Sequence, residues 1–490
     1  MSAWSHGETN MIQNRAWLYD LLFVLVLILA GILRLTGVDW GEGHHQHPDE
    51  LFLMGVLDNL RARACDDPAI FVDACPEDQK HWLGISEYLN TPASTLNPHN
   101  RGHAFFVYGN LPLTLARFAM ELSGNDSIGV SKFFARQFSA LADLLTIFLL
   151  YLIVSNLYGR RVALIASAFS SLAVMQIQQS HFFTTDLFTN LFIFLGLLFV
   201  SAVPGARGEE DSVQYHGWRM ERHPVLWLSV GFGLALGMAV ASKINAAALA
   251  FVLPGAMLVR FLSRRIWRAE AREREYFTRI VMIGLVAGGI AAMISFRLFQ
   301  PYAFDGFWLN PKWLANIQEQ RGQATGDSDL PWNLQWVRRS NFYSFENLTT
   351  WGLGLPLGIL SWAGFLFMGW RILKGEWRHA LLWGWTACYF LWQSLQFNPT
   401  MRYQLPVYPL LCMMAAWFLF ELMKLGEGNP ASKLRARSYS IRAAVLGVVV
   451  LASTAVWAFA FQSIYLREEP RIAASRWIYQ NVPAPINVTI

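Results

Sequence analysis

Residues 17–37 read WLYDLLFVLVLILAGILRLTG, with one acid near the start and one Arg near the end. Crossing a hydrocarbon core of roughly 30 Å takes about 20 apolar residues. Only a helix satisfies its own backbone there. Residues 278–299 and 443–465 are similar runs without acids, and no stretch alternates with the period of a barrel strand. The first run is too long and too late for a cleaved leader, and no small-residue cleavage site follows it. Working outward, further apolar stretches lie at 134–157, 161–180, 186–203, 224–242, 246–263, 351–370, 380–396 and 405–423. The reading is an all-α, polytopic integral membrane protein with about eleven transmembrane helices and external juxtamembrane helices.

Composition agrees. The 490 residues are 54% hydrophobic and only 15% charged, where a soluble domain carries about 25% charged residues. Basic clusters mark cytoplasmic loops: Arg264, Arg265, Arg268, Arg272 and Arg274; Arg371, Lys374 and Arg378; Lys424, Lys433, Arg435, Arg437 and Arg442. Retention of these loops in the cytoplasm accounts for them without nucleic acid. The segment 38–102 holds Asp39, Glu42, Asp49, Glu50, Asp58, Asp66, Asp67, Asp73, Glu77, Asp78 and Glu87 against Arg61, Arg63, Lys80 and Arg101, and reads as external. That places residues 1–16 in the cytoplasm and 17–465 in a transmembrane domain with large external loops at 38–133 and 300–350. Residues 466–490 form an external segment, read as the start of a soluble domain. Parity holds if 103–122 dips into the membrane and returns, and DELFLMGVLDNLRA (49–62) has the helical spacing of a surface-lying helix. Cys388 and Cys412 fall in apolar spans as packing residues. Cys65 and Cys75, in CDDPAIFVDAC, form a candidate disulfide in an oxidising compartment; two free thiols are the alternative.

Polar residues at a membrane boundary are costly and mark function. Five groups occur: HHQHPDE (44–50), QIQQSHFFTTD (176–186), SKIN (242–245), FQPYAFDGF (299–307) and NPTMRYQLP (398–406). Parity puts all five on the external side. A carboxylate there can accept a proton from an acceptor hydroxyl, and Lys243 with Arg402 can hold a phosphate. Plainer readings stand beside these. Pro48, Asp49 and Glu50 suit a helix first turn, Asp186 suits a cap, and Lys243 and Arg402 suit snorkelling to headgroups. His44, His45 and His47 are metal ligands or merely solvated.

These residues resemble the GT-C superfamily, and more closely the protein O-mannosyltransferase and aminoarabinose transferase branch, glycosyltransferase family 39 and its bacterial relatives. HPDE (47–50) matches the position of that family's acidic motif, and SHFFTTD (180–186) is similar to its second-loop motif. SKINAA and MRYQLPVYP look like its Lys-bearing turn and late Arg-Tyr element. The resemblance implies an inverting glycosyltransferase that moves a monosaccharide from a polyprenyl-phosphate donor to a protein, lipid or glycan acceptor on the outer face of the cell membrane. Asp49 would then be the general base, with Glu50 and Asp186 also catalytic. His47, Arg101, His103, His181, Lys243, Tyr302, Arg402 and Tyr403 would bind substrates. No cofactor is certain; some relatives hold a divalent metal, for which Asp49 and Asp186 are the candidate ligands. The first loop lacks a DxD and no WWD-type element is visible, which disfavours oligosaccharide transfer to Asn, and the insertion at 65–100 has no counterpart in the family pattern. The competing classes are a lipid or solute transporter, which would show internal repeats, and a non-catalytic subunit of a membrane complex.

Overall fold

The computed structural model describes residues 5–124, 128–206, 223–328, 330–425 and 433–483. The chain runs through α1 (Ser5–Leu35), α2 (Pro48–Asn59), α3 (Asn110–Leu122), α4 (Ile128–Tyr158), α5 (Arg160–Ser171) and α6 (Val174–Ser180). It continues through α7 (Thr185–Ala202), α8 (Pro224–Ser242), α9 (Val252–Ser263), α10 (Ala271–Phe299) and α11 (Pro311–Thr325). Then come α12 (Leu355–Leu373), α13 (Ala380–Ser394), α14 (Tyr408–Met423), α15 (Lys433–Gln462) and α16 (Pro470–Asn481). Strand structure among the described residues is confined to two small antiparallel hairpins in the long loops. One pairs Arg63–Cys65 with Lys80–Trp82, the other Phe304–Asp305 with Trp308–Leu309.

Nine helical stretches among the described residues are long and apolar enough to cross a membrane, ten if one bent pair counts as a span. The chain is thus a multi-pass membrane protein, and its differences from the expected eleven spans have local causes. The 161–180 run is broken: α5 and α6 meet at 59°. A buried polar network sits at that break. The Arg34 guanidinium lies 2.6 Å from Asp143 and donates to the Ser171 carbonyl at 2.9 Å. Gln176 donates to Asp143 at 3.0 Å. An unpaired charge in this apolar interior would be very costly, so the pair and the freed backbone carbonyl satisfy one another. The 380–396 run yields α13, whose 15 residues reach only about 22 Å. The stretch 103–122 yields α3, whose 13 residues cover about 20 Å and do not span. Residues 1–4, 125–127 and 484–490, which fall in the terminal segments and the first loop, lie outside the described residues.

Burial orders the helices. The stretch Met401–Met423, containing α14, is 83% buried, whereas the spans of α1, α10 and α15 are mostly exposed at the rim. Apolar side chains on those rim helices face where lipid would lie. Small residues allow close packing of α8 on α10. A Cβ on Gly233 would come within 2.1 Å of the Gly288 carbonyl oxygen, and one on Gly237 within 2.5 Å of Ser295 Cβ. This is the small-xxx-small logic of membrane helix pairs. Gly109 plays the same part for a loop: its N–H donates to the Ser242 carbonyl at 3.1 Å, and a Cβ there would sit 2.0 Å from the Ala241 carbonyl oxygen. The chain entering α3 is therefore pressed onto the last turn of α8, beside Lys243.

Candidate active site

Four chain segments meet at one end of the bundle: the loop after α1, the start of α7, the end of α8 and the turn before α14. The loop ends at His47, which caps α2 by accepting the Glu50 N–H at its Nδ1, 3.4 Å away. Pro48 at the first helical position has no N–H to lose there. Burial and the nearby Arg402 charge lower the His47 pKa, which keeps the ring neutral and able to accept.

Asp49 and Glu50, adjacent in sequence, part company. Asp49 forms an ion pair with Arg402 and both remain partly exposed. Glu50 is fully buried. Its two oxygens take the Arg136 guanidinium at 2.7 Å each, and one also accepts the Phe183 N–H at 2.9 Å. Arg136 in turn donates to the Val38 and Trp40 carbonyls at 2.9 and 2.7 Å. Burial alone would raise the Glu50 carboxyl, but the Arg136 hydrogen bonds and charge hold it down at about 2. Glu50 therefore ties α2, α4, the 38–40 loop and the 181–184 loop together, and no oxygen is left over for a substrate.

Asp186 lies in the first turn of α7, where the helix dipole favours an anion. Lys243 caps the end of α8 in extended backbone, and its Nζ lies 2.7 Å from Asp186 Oδ1. Tyr403 connects the two pairs. Lys243 Nζ sits 4.3 Å from the centre of its ring, and the Arg402 guanidinium carbon 5.3 Å from the same centre, within cation–π range. The turn Met401–Val407 is 3-10 helix, and Gln404 anchors it by donating to the Phe390 carbonyl and Ser394 Oγ at 3.2 and 3.1 Å. Asp49, Arg402, Tyr403, Lys243 and Asp186 thus form one continuous group.

The other residues singled out from sequence have different places. His181 is fully buried, its two ring nitrogens lie 2.8 and 3.0 Å from the Ile177 and Thr36 carbonyl oxygens, and its ring stacks on Tyr465 with centroids 3.6 Å apart. It braces the wall behind the site. Tyr302 is buried as well, its hydroxyl 2.8 Å from Ser94 Oγ, joining the first long loop to the turn after α10. Arg101 donates to the Asn59 carbonyl at 2.6 Å and pairs with Asp73. His103 Nε2 lies 3.0 Å from Asn59 Nδ2. Both stand at the far end of α2, away from Asp49. Cys65 and Cys75 are joined as a disulfide with a Cα separation of 5.8 Å.

Arg136 and Tyr108 were not singled out from the sequence. Arg136 lies in an apolar run where only its charge stood out. Tyr108 lies within electrostatic reach of Asp49, Arg402, Tyr403 and Asp186, and burial, followed by the Asp49 charge, raises its pKa. It is a neutral phenol whose hydroxyl has no hydrogen-bond partner among the described residues. Nothing local in the sequence marks Tyr108; the packing of Gly109 on the end of α8 places it. As for a metal, Asp49 and Asp186 each already face a cation, and no group of three or more His, Cys, Asp or Glu side chains among the described residues could hold an ion.

Comparison with known proteins follows the same lines. Residues 107–299 match the family model described as Dolichyl-phosphate-mannose-protein mannosyltransferase. No curated protein sequence matches the chain. Among solved structures, the Archaeoglobus fulgidus oligosaccharyltransferase tethered to an acceptor peptide superposes with a TM-score of 0.58 at 14% identity, covering 96% of this chain and 58% of that one. The same archaeal protein bound to an inhibitory peptide and a dolichol-phosphate gives 0.53 at 15% identity, again covering 96% and 58%. ArnT from Cupriavidus metallidurans bound to undecaprenyl phosphate gives 0.54 at 17% identity, covering 96% and 82%. The chain spans less than two thirds of the length of the archaeal protein. It shares the polytopic helical fold of these proteins.

Proposed function

We propose that the chain is a glycosyltransferase that moves a monosaccharide from a polyprenyl-phosphate donor to an acceptor hydroxyl on the outer side of the membrane. The observation that carries this reading is the pair of acid–base contacts, Asp49 with Arg402 and Asp186 with Lys243, sharing the Tyr403 ring at one end of the bundle. The likeness in fold to proteins solved with dolichol-phosphate and undecaprenyl phosphate supports it, as does the family match over 107–299. The basic clusters between later spans support the outer side.

The chemistry follows from charge exchange. A donor phosphate entering beside Tyr403 offers Arg402 and Lys243 an anion in place of their carboxylates. Arg402 turning to the phosphate releases Asp49, which then accepts the acceptor's hydroxyl proton. The acceptor oxygen bonds to the anomeric carbon as the bond from that carbon to the phosphate oxygen breaks, so a single displacement inverts the centre. Polyprenyl phosphate leaves with one more negative charge than it carried as a diester. The two cations hold that developing charge more strongly in the transition state than in the ground state, the condition for catalysis. Glu50 touches no reactant; it keeps Asp49 at the start of α2.

The test is binding and turnover in nanodiscs. Asp49→Asn retains undecaprenyl phosphate binding and loses sugar transfer, whereas Lys243→Met and Arg402→Met weaken that binding about 10- to 100-fold. Transfer that persists in an Asp49→Asn variant of normal expression, or phosphate binding indifferent to both cation variants, overturns the reading.

A further inference from the structure

The outward arc of α2 leads away from Asp49 and is uncovered. At about 100° per residue, positions 48, 52, 55 and 59 fall on one face. Pro48, Gly55 and Asn59 are exposed and Phe52 is half-buried, and a Cβ built on Gly55 would meet nothing within 4 Å. The buried positions Leu53, Met54, Val56 and Leu57 take the opposite side. Aromatic rings gather along this open face. The Phe52 ring centre lies 5.8 Å from that of Tyr108 and 6.4 Å from that of His103. His103 continues to Asn59, and Asn59 to Arg101. At the near end stands the Tyr108 hydroxyl, without a protein partner among the described residues, its ring against Phe52, one helical turn from Asp49.

We infer that Phe52, Tyr108, His103 and Asn59 form the acceptor subsite and that the acceptor is a saccharide. This inference rests on the glycosyl-transfer reading above. The flat faces of Phe52 and Tyr108 match the apolar C–H face of a sugar ring. The Tyr108 hydroxyl, the Asn59 amide and the His103 imidazole match its hydroxyls. Charge does not drive recognition at the far end, since Arg101 and Arg61 both pair with Asp73. Two common modes of peptide capture use a sheet edge or a backbone nest, and this helical face offers neither. Proximity to Asp49 sets which hydroxyl reacts: the ring held on Phe52 and Tyr108 presents its hydroxyl to the carboxylate.

The experiment uses the full chain in nanodiscs with three probes: an array of neutral hexose and N-acetylhexosamine oligosaccharides, the same sugars on a lipid anchor, and an array of Ser- and Thr-containing peptides. Undecaprenyl phosphate binding is measured in parallel. The expected result is saccharide binding that falls about tenfold or more in Phe52→Ala and about 3- to 10-fold in Tyr108→Phe, with undecaprenyl phosphate binding by Phe52→Ala unchanged. Binding of the lipid-anchored sugars alone assigns the acceptor to a glycolipid headgroup, and binding of both forms to the saccharide itself. Peptide binding without saccharide binding, no saccharide binding by protein that still binds undecaprenyl phosphate, or saccharide binding indifferent to both substitutions overturns the inference while leaving the donor side standing. Loss of undecaprenyl phosphate binding by the wild type would instead sink the reading beneath it.

Discussion

Replacing Glu50 with Gln removes one charge from the most enclosed ion pair near the site and leaves Arg136 buried against a neutral amide. The structure allows the cost to be worked in two ways. A carboxyl lowered from its ordinary 4.5 to about 2 has its ionised form favoured by about 3 kcal/mol. Breaking a buried pair by removing one partner independently costs about 3–5 kcal/mol. Because the Arg136 guanidinium also carries the Val38 and Trp40 carbonyls and the Glu50 oxygen carries the Phe183 N–H, the loss falls on the 38–50 and 181–186 loops. Hydrogen exchange measured at neutral pH in nanodiscs should show amides in those two loops opening about 100-fold more readily in Glu50→Gln. The rim helices should keep their wild-type protection. The pH dependence has a definite sign. A carboxyl lowered by folding contributes its stability fully above about pH 4.5, and that contribution is lost as pH falls through about 2, so the gap between wild type and variant narrows only in acid. Replacing Arg136 by Gln as well should restore part of the loss, since a neutral pair leaves no buried charge alone. Exchange in Glu50→Gln within threefold of wild type in both loops would refute the claim that this carboxylate organises them.

Three other expectations follow from single contacts. Gly109→Ala pushes a methyl into the Ala241 carbonyl, costs about 1–3 kcal/mol, and displaces the end of α8 that carries Lys243; unchanged thermal stability together with unchanged undecaprenyl phosphate affinity would contradict this. Cys65 and Cys75 should resist alkylation until reductant is added, and mass spectrometry showing both thiols labelled in unreduced protein would count against the bond. Asp143→Asn strands Arg34 at the bend between α5 and α6 and should lower the detergent unfolding midpoint more than Asp20→Asn does, since the Asp20 side chain and its partner Arg160 are both about half exposed; equal effects would argue that the buried network is not holding the bend.

The membrane class was legible in the sequence because crossing a bilayer imposes a length and composition on each helix separately. Runs such as 17–37 and 443–465 declare themselves without reference to any neighbour. The boundary clusters were legible for a related reason: a charge beside an apolar run is costly wherever the helix packs, so Asp49, Asp186, Lys243 and Arg402 stood out singly. The break after Ser171 and the shortness of α13 were not legible, since an apolar stretch that bends inside protein looks like one that crosses straight. His181 and Tyr302 belong to the polar boundary segments and Arg101 and His103 to the long first loop, yet composition could not say whether they reach a substrate or a backbone carbonyl.

Partnership is what only the tertiary structure decided. Asp49 and Glu50 are neighbours of one chemical type, and nothing local tells that one meets Arg402 at an open position while the other is sealed against Arg136, 86 residues away. Which side chains meet depends on how helices rotate and cross, and in lipid that is set by packing of small residues such as Gly233 and Gly237 rather than by any contrast between apolar and polar faces. Apolar runs fix where helices can cross and leave open which face of each looks inward; the interlocking of those faces placed Tyr403 between two cations.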